Sequence, residues 1–200
     1  RFKLLGGHPP LFLKTIEDYS KKFFLQLIKE KPENKLTHQE SFEAISFMKN
    51  ATLSSLGNLR KRIESGKVTS IPTGWKGHGI NATFLKTKKC YYLAVSNRGE
   101  SAEKGISVYK TEEKISKGKW EKVLSKISSN GCRKFNKEFI LNKVHEILKL
   151  KHFFDVPHQA QKVPNCTWIS NMTAVHAIML LSKIKLKLTF EESCKKSKEN

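Results

Sequence analysis

The sequence predicts an α+β fold, on three observations. Residues 10–30 repeat apolar side chains (Leu13, Ile16, Phe23, Phe24, Leu27) near helical spacing, with Lys21, Lys22 and Lys29 left for the outer face. The middle of the chain changes character to short β-rich runs punctuated by Gly and Pro. Helical patterns then return at about 119–128, 134–150 and 166–184. Strands flanked by helical blocks indicate α+β.

Taking the elements in order, Lys31-Pro32-Glu33-Asn34 ends the first helix. Residues 38–65 form a second, broken helical region carrying Phe42, Ile45, Met48, Leu53, Leu56, Leu59 and Ile63, closed by Ser65-Gly66. Val68–Ile71 is a short strand, followed by Pro72-Thr73-Gly74-Trp75-Lys76-Gly77. Runs 78–85 and 90–97 flank the loop 86–89, and Gly105–Lys110 adds a further strand. Asp155–Pro164 reads as a polar connector, and the tail beyond Phe190 is charged. The expected division is a helical region over 1–66 packing on the core, a catalytic domain over 67–190 and a tail over 191–200. The chain begins at Arg1 rather than Met, which points to a piece of a longer protein.

Composition bounds the function. The 200 residues are 38% hydrophobic, enough for a sizeable core. No apolar run approaches the ~18 residues of a membrane-spanning helix. Lys+Arg number 38 against 18 Asp+Glu, a net charge of +20. That charge invites a nucleic-acid or anionic-surface reading. Two features oppose it: only Arg1, Arg60, Arg62, Arg98 and Arg133 are arginine, and no segment concentrates the charge. Lysine lacks the planar fork that reads phosphate or guanine bidentately. Specific nucleic-acid binding is not expected.

Cys90, Cys132, Cys166 and Cys194 are far apart, with no C-x-x-C pair, so neither a zinc knuckle nor a thioredoxin-type site is expected. They read as reduced cysteines, and no metal or cofactor is expected. Sequons beginning at Asn50, Asn81, Asn165 and Asn171 read as chance.

Two places carry chemistry. In the first, apolar pairing across the loop 86–89 predicts Leu85 opposite Cys90, Phe84 opposite Tyr91, Ala82 opposite Leu93 and Ile80 opposite Val95. That register sets His78 beside Asn97 at the open end of the hairpin, each next to glycine. The plain alternative is a strand-end histidine and a loop-capping asparagine. In the second, Pro164-Asn165 opens the helix from 166, with Asn165 as N-cap and Cys166 in the first turn. The helix dipole there favours a thiolate. Gln161 stands five residues upstream, where its amide could join the Cys166 backbone N–H in an oxyanion hole. The plain alternative is a small buried Cys and a loop Gln. His176 lies about three turns from Cys166, too far for a partner. His8, His38, His145, His152 and His158 have no comparable setting. Together the parts fit a thiol hydrolase: Cys166 attacks, His78 moves the proton, Asn97 holds the ring and Gln161 binds the oxyanion. The order His, Asn, Cys reverses that of papain and implies circular permutation.

The strings Ile71-Pro72-Thr73-Gly74-Trp75-Lys76-Gly77-His78, Tyr92-Leu93-Ala94-Val95-Ser96-Asn97-Arg98-Gly99 and Gln161-Lys162-Val163-Pro164-Asn165-Cys166-Thr167-Trp168 carry a resemblance. They resemble permuted papain-like cysteine protease-like domains of effector proteins from intracellular bacteria, some attached to ankyrin repeats. The resemblance covers about 65–185. It implies a papain-like, circularly permuted α+β fold, its antiparallel sheet packed against a C-terminal nucleophile helix, with an N-terminal helical extension. It implies Cys166, His78 and Asn97 as triad and Gln161 as oxyanion residue. Pro164 stands where the family pattern has Gly. It further implies secretion into a host cell, into the reducing cytosol or nucleus, and a protein or peptide substrate, expected to be a host protein. Two alternatives stand beside the hydrolase: an inactive papain-like module that binds a host protein, and a basic domain binding nucleic acid or an anionic surface.

Overall fold

Three helices come first because the first 65 residues carry helical apolar spacing and clear stop signals. A computed structural model describes residues 9–30, 32–75, 78–97, 105–128, 137–157 and 166–199. Helix α1 spans Pro9–Glu30 and buries Ile16 and Phe24, while Phe23 remains partly exposed. A 3-10 turn at Pro32–Asn34 leads into α2, Lys35–Ala51. The Ser55 hydroxyl accepts from the Asn58 N–H and caps α3, Leu56–Glu64. Gly66, at φ 75°, ends α3 with its N–H on the Ile63 carbonyl.

The sheet follows as a meander, in the order β1-β2-β3-β4-β5, all antiparallel. Its strands are β1 Thr69–Trp75, β2 His78–Lys86, β3 Tyr91–Ser96, β4 Ile106–Thr111 and β5 Lys151–Val156. Two differ from the sequence expectation. β1 runs on through Pro72, because β1 is an edge strand and a missing N–H there leaves no ladder bond unmade. β5 runs into the first two residues of the expected connector, Asp155 and Val156, and forms the opposite edge.

The β2–β3 register is also corrected. Phe84 faces Leu93, Ala82 faces Val95 and Lys86 faces Tyr91, two residues from the predicted pairing. A two-residue displacement returns every side chain to its own face, so apolar alternation fits both ladders equally. The turn decides between them. Thr87 donates its N–H to the Cys90 carbonyl at 2.8 Å, and its hydroxyl accepts from the Cys90 N–H at 3.0 Å. The loop is therefore 87–90, and Lys86 closes it against Tyr91, its ammonium 5.6 Å from the ring centroid.

Helices cover both faces. On one face Ile71, Ile80, Phe84, Leu93 and Val95 meet α3, α4 (Lys117–Ile127) and α5 (Val144–Leu148), which a π-helical turn at Phe139–Lys143 introduces. Trp120 is the centre of this layer. Its ring packs edge-on to Phe84 at 5.6 Å, and its Nε1–H donates to Glu64 at 2.8 Å. Glu64 also takes bonds from Lys86 (2.7 Å) and Tyr91. Burial alone would raise that carboxyl, but Lys86, Trp120 and Tyr91 together hold it below its ordinary range.

On the other face Leu85, Tyr92, Ala94 and Val108 meet α1, α2 and α6. Helix α6 spans Cys166–Glu199, well past the expected end near 184. Its buried stripe is Ala174, Ala177, Ile178 and Leu181, while Met172 and Met179 are only half-buried. Among the described residues no helix is long and apolar enough to cross a membrane.

His145 illustrates the first layer's dryness. Its ring stacks on Tyr109 at 3.9 Å, and burial pushes its pKa down to about 4; a backbone bond to Leu141 only partly opposes this. The unfolded ring takes a proton near 6.5, so between 6.5 and about 4 the unfolded chain binds more protons than the folded one. Stability therefore falls as pH drops through that window, by up to about 3 kcal/mol. His145→Phe keeps the stacking and removes the titration. Urea midpoints measured from pH 7 to pH 4 should fall less steeply for His145→Phe than for the wild type, and parallel curves would refute the assignment.

Candidate active site

The β1–β2 hairpin builds one half of the site. Trp75 pairs with His78 across its end. The indole and imidazole rings lie 4.6 Å apart at 36°, so one face of the imidazole is covered. The hairpin closes tightly here: a Cβ on Gly74 would lie 2.1 Å from the His78 carbonyl oxygen. Only glycine lets the strands approach this far.

Asn97 follows β3 directly, its N–H donating to the Gly105 carbonyl at 2.9 Å. In the corrected register it is a diagonal neighbour of His78 rather than its direct partner. Diagonal neighbours on one face stay within reach of longer side chains. His78 Nε2 lies 2.8 Å from Asn97 Oδ1, and both residues are buried, 8% and 7% exposed. An amide oxygen only accepts, so Nε2 carries the hydrogen and Nδ1 keeps a lone pair. An imidazole held this way can take a proton at Nδ1. The structure thus brings His78 and Asn97 together, as the sequence predicts, by a different ladder.

Helix α6 supplies the other end. Cys166 is its first residue, while the Cys166 side chain, Gln161, Pro164 and Asn165 lie outside the described residues. The course of α6 follows from its neighbours. Asn81 Nδ2 donates to Asn171 Oδ1. Further along, Lys185, Leu188 and Thr189 share a cavity wall with Lys86, Thr87 and Lys88. Helix α6 therefore runs in the same direction as β2. From Asn171 back to Cys166 is about 7.5 Å of helix. From Asn81 back to His78 is about 10 Å of strand. The front of α6 and the His78–Asn97 pair thus sit at the same end of the sheet. Strand alternation puts His78 on the Trp75 and Ile80 face, whereas α6 crosses the other.

The remaining candidates separate cleanly. Cys90 is buried in the β2–β3 loop, where burial and this thiol push Tyr92 up to about 12. His38 packs on Phe24 at 5.7 Å, and His152 lies 3.0 Å from Asp155. His176 is exposed on α6. Cys132, His8 and His158 lie outside the described residues, as does the Cys194 side chain.

A family model described as Dot/Icm T4SS effector AnkD/LegA15 matches residues 15–200. The chain belongs to that family. As a member of the AnkD/LegA15 family it is a type IV secretion effector, delivered into a host cell. A solved structure of the Legionella effector AnkH is similar in fold, with a TM-score of 0.66 at 14% sequence identity. The likeness covers 92% of this chain and 42% of that one, so this chain spans less than half the length of AnkH. No curated protein matches.

Sequence reasoning gave no role to three residues beside this candidate site. Trp75 lies beyond the strand expected over Val68–Ile71, although an aromatic three residues before a glycine-flanked histidine was a usable signal. Asn81 and Asn171 read as chance sequons. Both are buried and bonded to each other, which closes them to glycosylation. A polar residue in the middle of a buried strand was the signal for Asn81.

Proposed function

We propose that this effector is a thiol hydrolase of papain-like, circularly permuted design, acting on a peptide, isopeptide or related acyl bond of a host protein. The buried hydrogen bond between His78 and Asn97, at the end of the sheet where α6 begins, carries this reading. His78 Nδ1 takes the Cys166 proton, and the first turn of α6 favours the resulting thiolate. The thiolate adds to the substrate carbonyl carbon. The Cys166 N–H and the Gln161 amide hold the oxyanion. Collapse of the adduct breaks the acyl bond, and the imidazolium gives its proton to the leaving group. Water, deprotonated by His78, then cleaves the thioester and returns the free thiol. Asn97 keeps Nε2 protonated throughout, and Trp75 shields that bond from water. No cofactor or metal enters the scheme. A reducing cytosol or nucleus would keep Cys166 free.

Labelling with an electrophilic thiol probe tests it. Cys166 should label selectively over Cys90, Cys132 and Cys194, and His78→Ala should abolish the selectivity. Equal, slow labelling of all four would overturn the hydrolase. A second reading, a non-catalytic module binding a host protein, draws on one observation: His78 and α6 belong to opposite faces of the sheet. Slow, equal labelling is the result that reading expects.

A further inference from the structure

The contact between α6 and the sheet changes character along its length. Over most of the described stretch it is apolar and small: Ala174, Ala177, Ile178 and Leu181 lie over Leu85, Ala94 and Val108. Such contact is non-directional, and an alanine-lined face sets the axial position of a helix weakly. Near the front of α6 the contact is polar instead. Thr83 Oγ1 donates to Ser70 Oγ at 2.9 Å, and Ser70 Oγ donates to Asn81 Oδ1 at 3.3 Å. Asn81 Nδ2 completes the chain by donating to Asn171 Oδ1. All four side chains are buried. A buried polar network adds less stability than well-packed apolar groups of the same volume, but its hydrogen bonds tolerate only one geometry.

We infer that Asn171, through its bond to Asn81, is a positioning residue that sets the axial register of α6 on β2 and so holds the Cys166 end of the helix level with His78. The inference rests on the hydrolase reading. The bond joins the two elements that carry the nucleophile and the base, five residues after one and three residues after the other. Helix α6 has 34 residues, so a slip at this point would carry the whole helix front with it. A displacement on the order of 1 Å at a reacting centre can cost about a hundredfold in rate.

The experiment is the pH profile of Cys166 alkylation by iodoacetamide, read by mass spectrometry on the full chain. Wild type should alkylate with a midpoint well below the ordinary thiol value of about 8.5. Asn171→Leu, of similar volume, should slow alkylation at neutral pH about tenfold or more and move the midpoint toward that ordinary value. Thr83→Val removes the far end of the same network. It should lower the melting temperature and leave the midpoint unchanged, which general loosening of the core would not do. A folded Asn171→Leu protein with the wild-type midpoint overturns the inference and leaves the hydrolase standing. Should Asn171→Leu not fold, Asn171→Ala gives the same decision. A wild-type midpoint at the ordinary value, unmoved by His78→Ala, would sink the hydrolase and with it any role for Asn171 in positioning.

Discussion

Cys166→Ala should abolish turnover of any substrate found for this effector while leaving its melting temperature essentially unchanged. Only a sulfur atom in the first turn of a helix is lost. His78→Ala should lower kcat by about 10²–10⁴-fold, the usual contribution of a positioned proton carrier. Asn97→Ala should cost less, because it removes the group that orients the ring rather than the ring itself. The graded series distinguishes catalysis from folding. Equal activity in wild type and Cys166→Ala would end the hydrolase reading.

Trp120→Ala should have the largest effect on stability. The indole is almost wholly buried, packs against Phe84 and Tyr91, and donates to Glu64. Truncating a buried Trp to Ala costs about 3–5 kcal/mol through lost transfer energy and residual cavity. Here Glu64 also loses one of the donors that keep it ionised. At roughly 2–4 °C per kcal/mol for a chain of this size, the melting temperature should fall on the order of 10 °C. Tyr19→Ser on the exposed side of α1 serves as the control and should barely move it. A Trp120→Ala protein melting within about 2 °C of wild type would refute this account of the α3–α4 layer.

The sequence carries much of this architecture for identifiable reasons. β2 and β3 are runs of β-rich residues with apolar side chains at alternate positions on one face, and α1 and α3 end on proline and glycine signals, so these elements can be read directly. The β2–β3 register cannot, because its competing ladders differ by one full period of the strand. The loop hydroxyl of Thr87 chooses between them, and that choice needs three dimensions. β5 is hidden for another reason. Lys151-His152-Phe153-Phe154-Asp155-Val156 lies at an edge beside a bulge at Val108/Tyr109, and its burial pattern shows no alternation. Beyond Phe190 the α6 sequence is charged and polar without an apolar stripe, and residues such as Lys and Glu have high helical propensity. At the site, His78 and Asn97 are legible because glycines flank a strand-end histidine and follow the asparagine. The Asn81–Asn171 bond spans ninety positions, and no local pattern announces it.

Gly74 gives the hairpin a constraint that its chemistry does not reveal. It contributes no functional atom, yet any side chain there would collide with the main chain of the residue that bears the imidazole. Drift at this position is thus closed on steric grounds alone, and a single added methyl would spread the strand ends and carry the indole and imidazole apart. On the hydrolase reading, a lineage could therefore lose activity through a substitution that spares Cys166, His78 and Asn97.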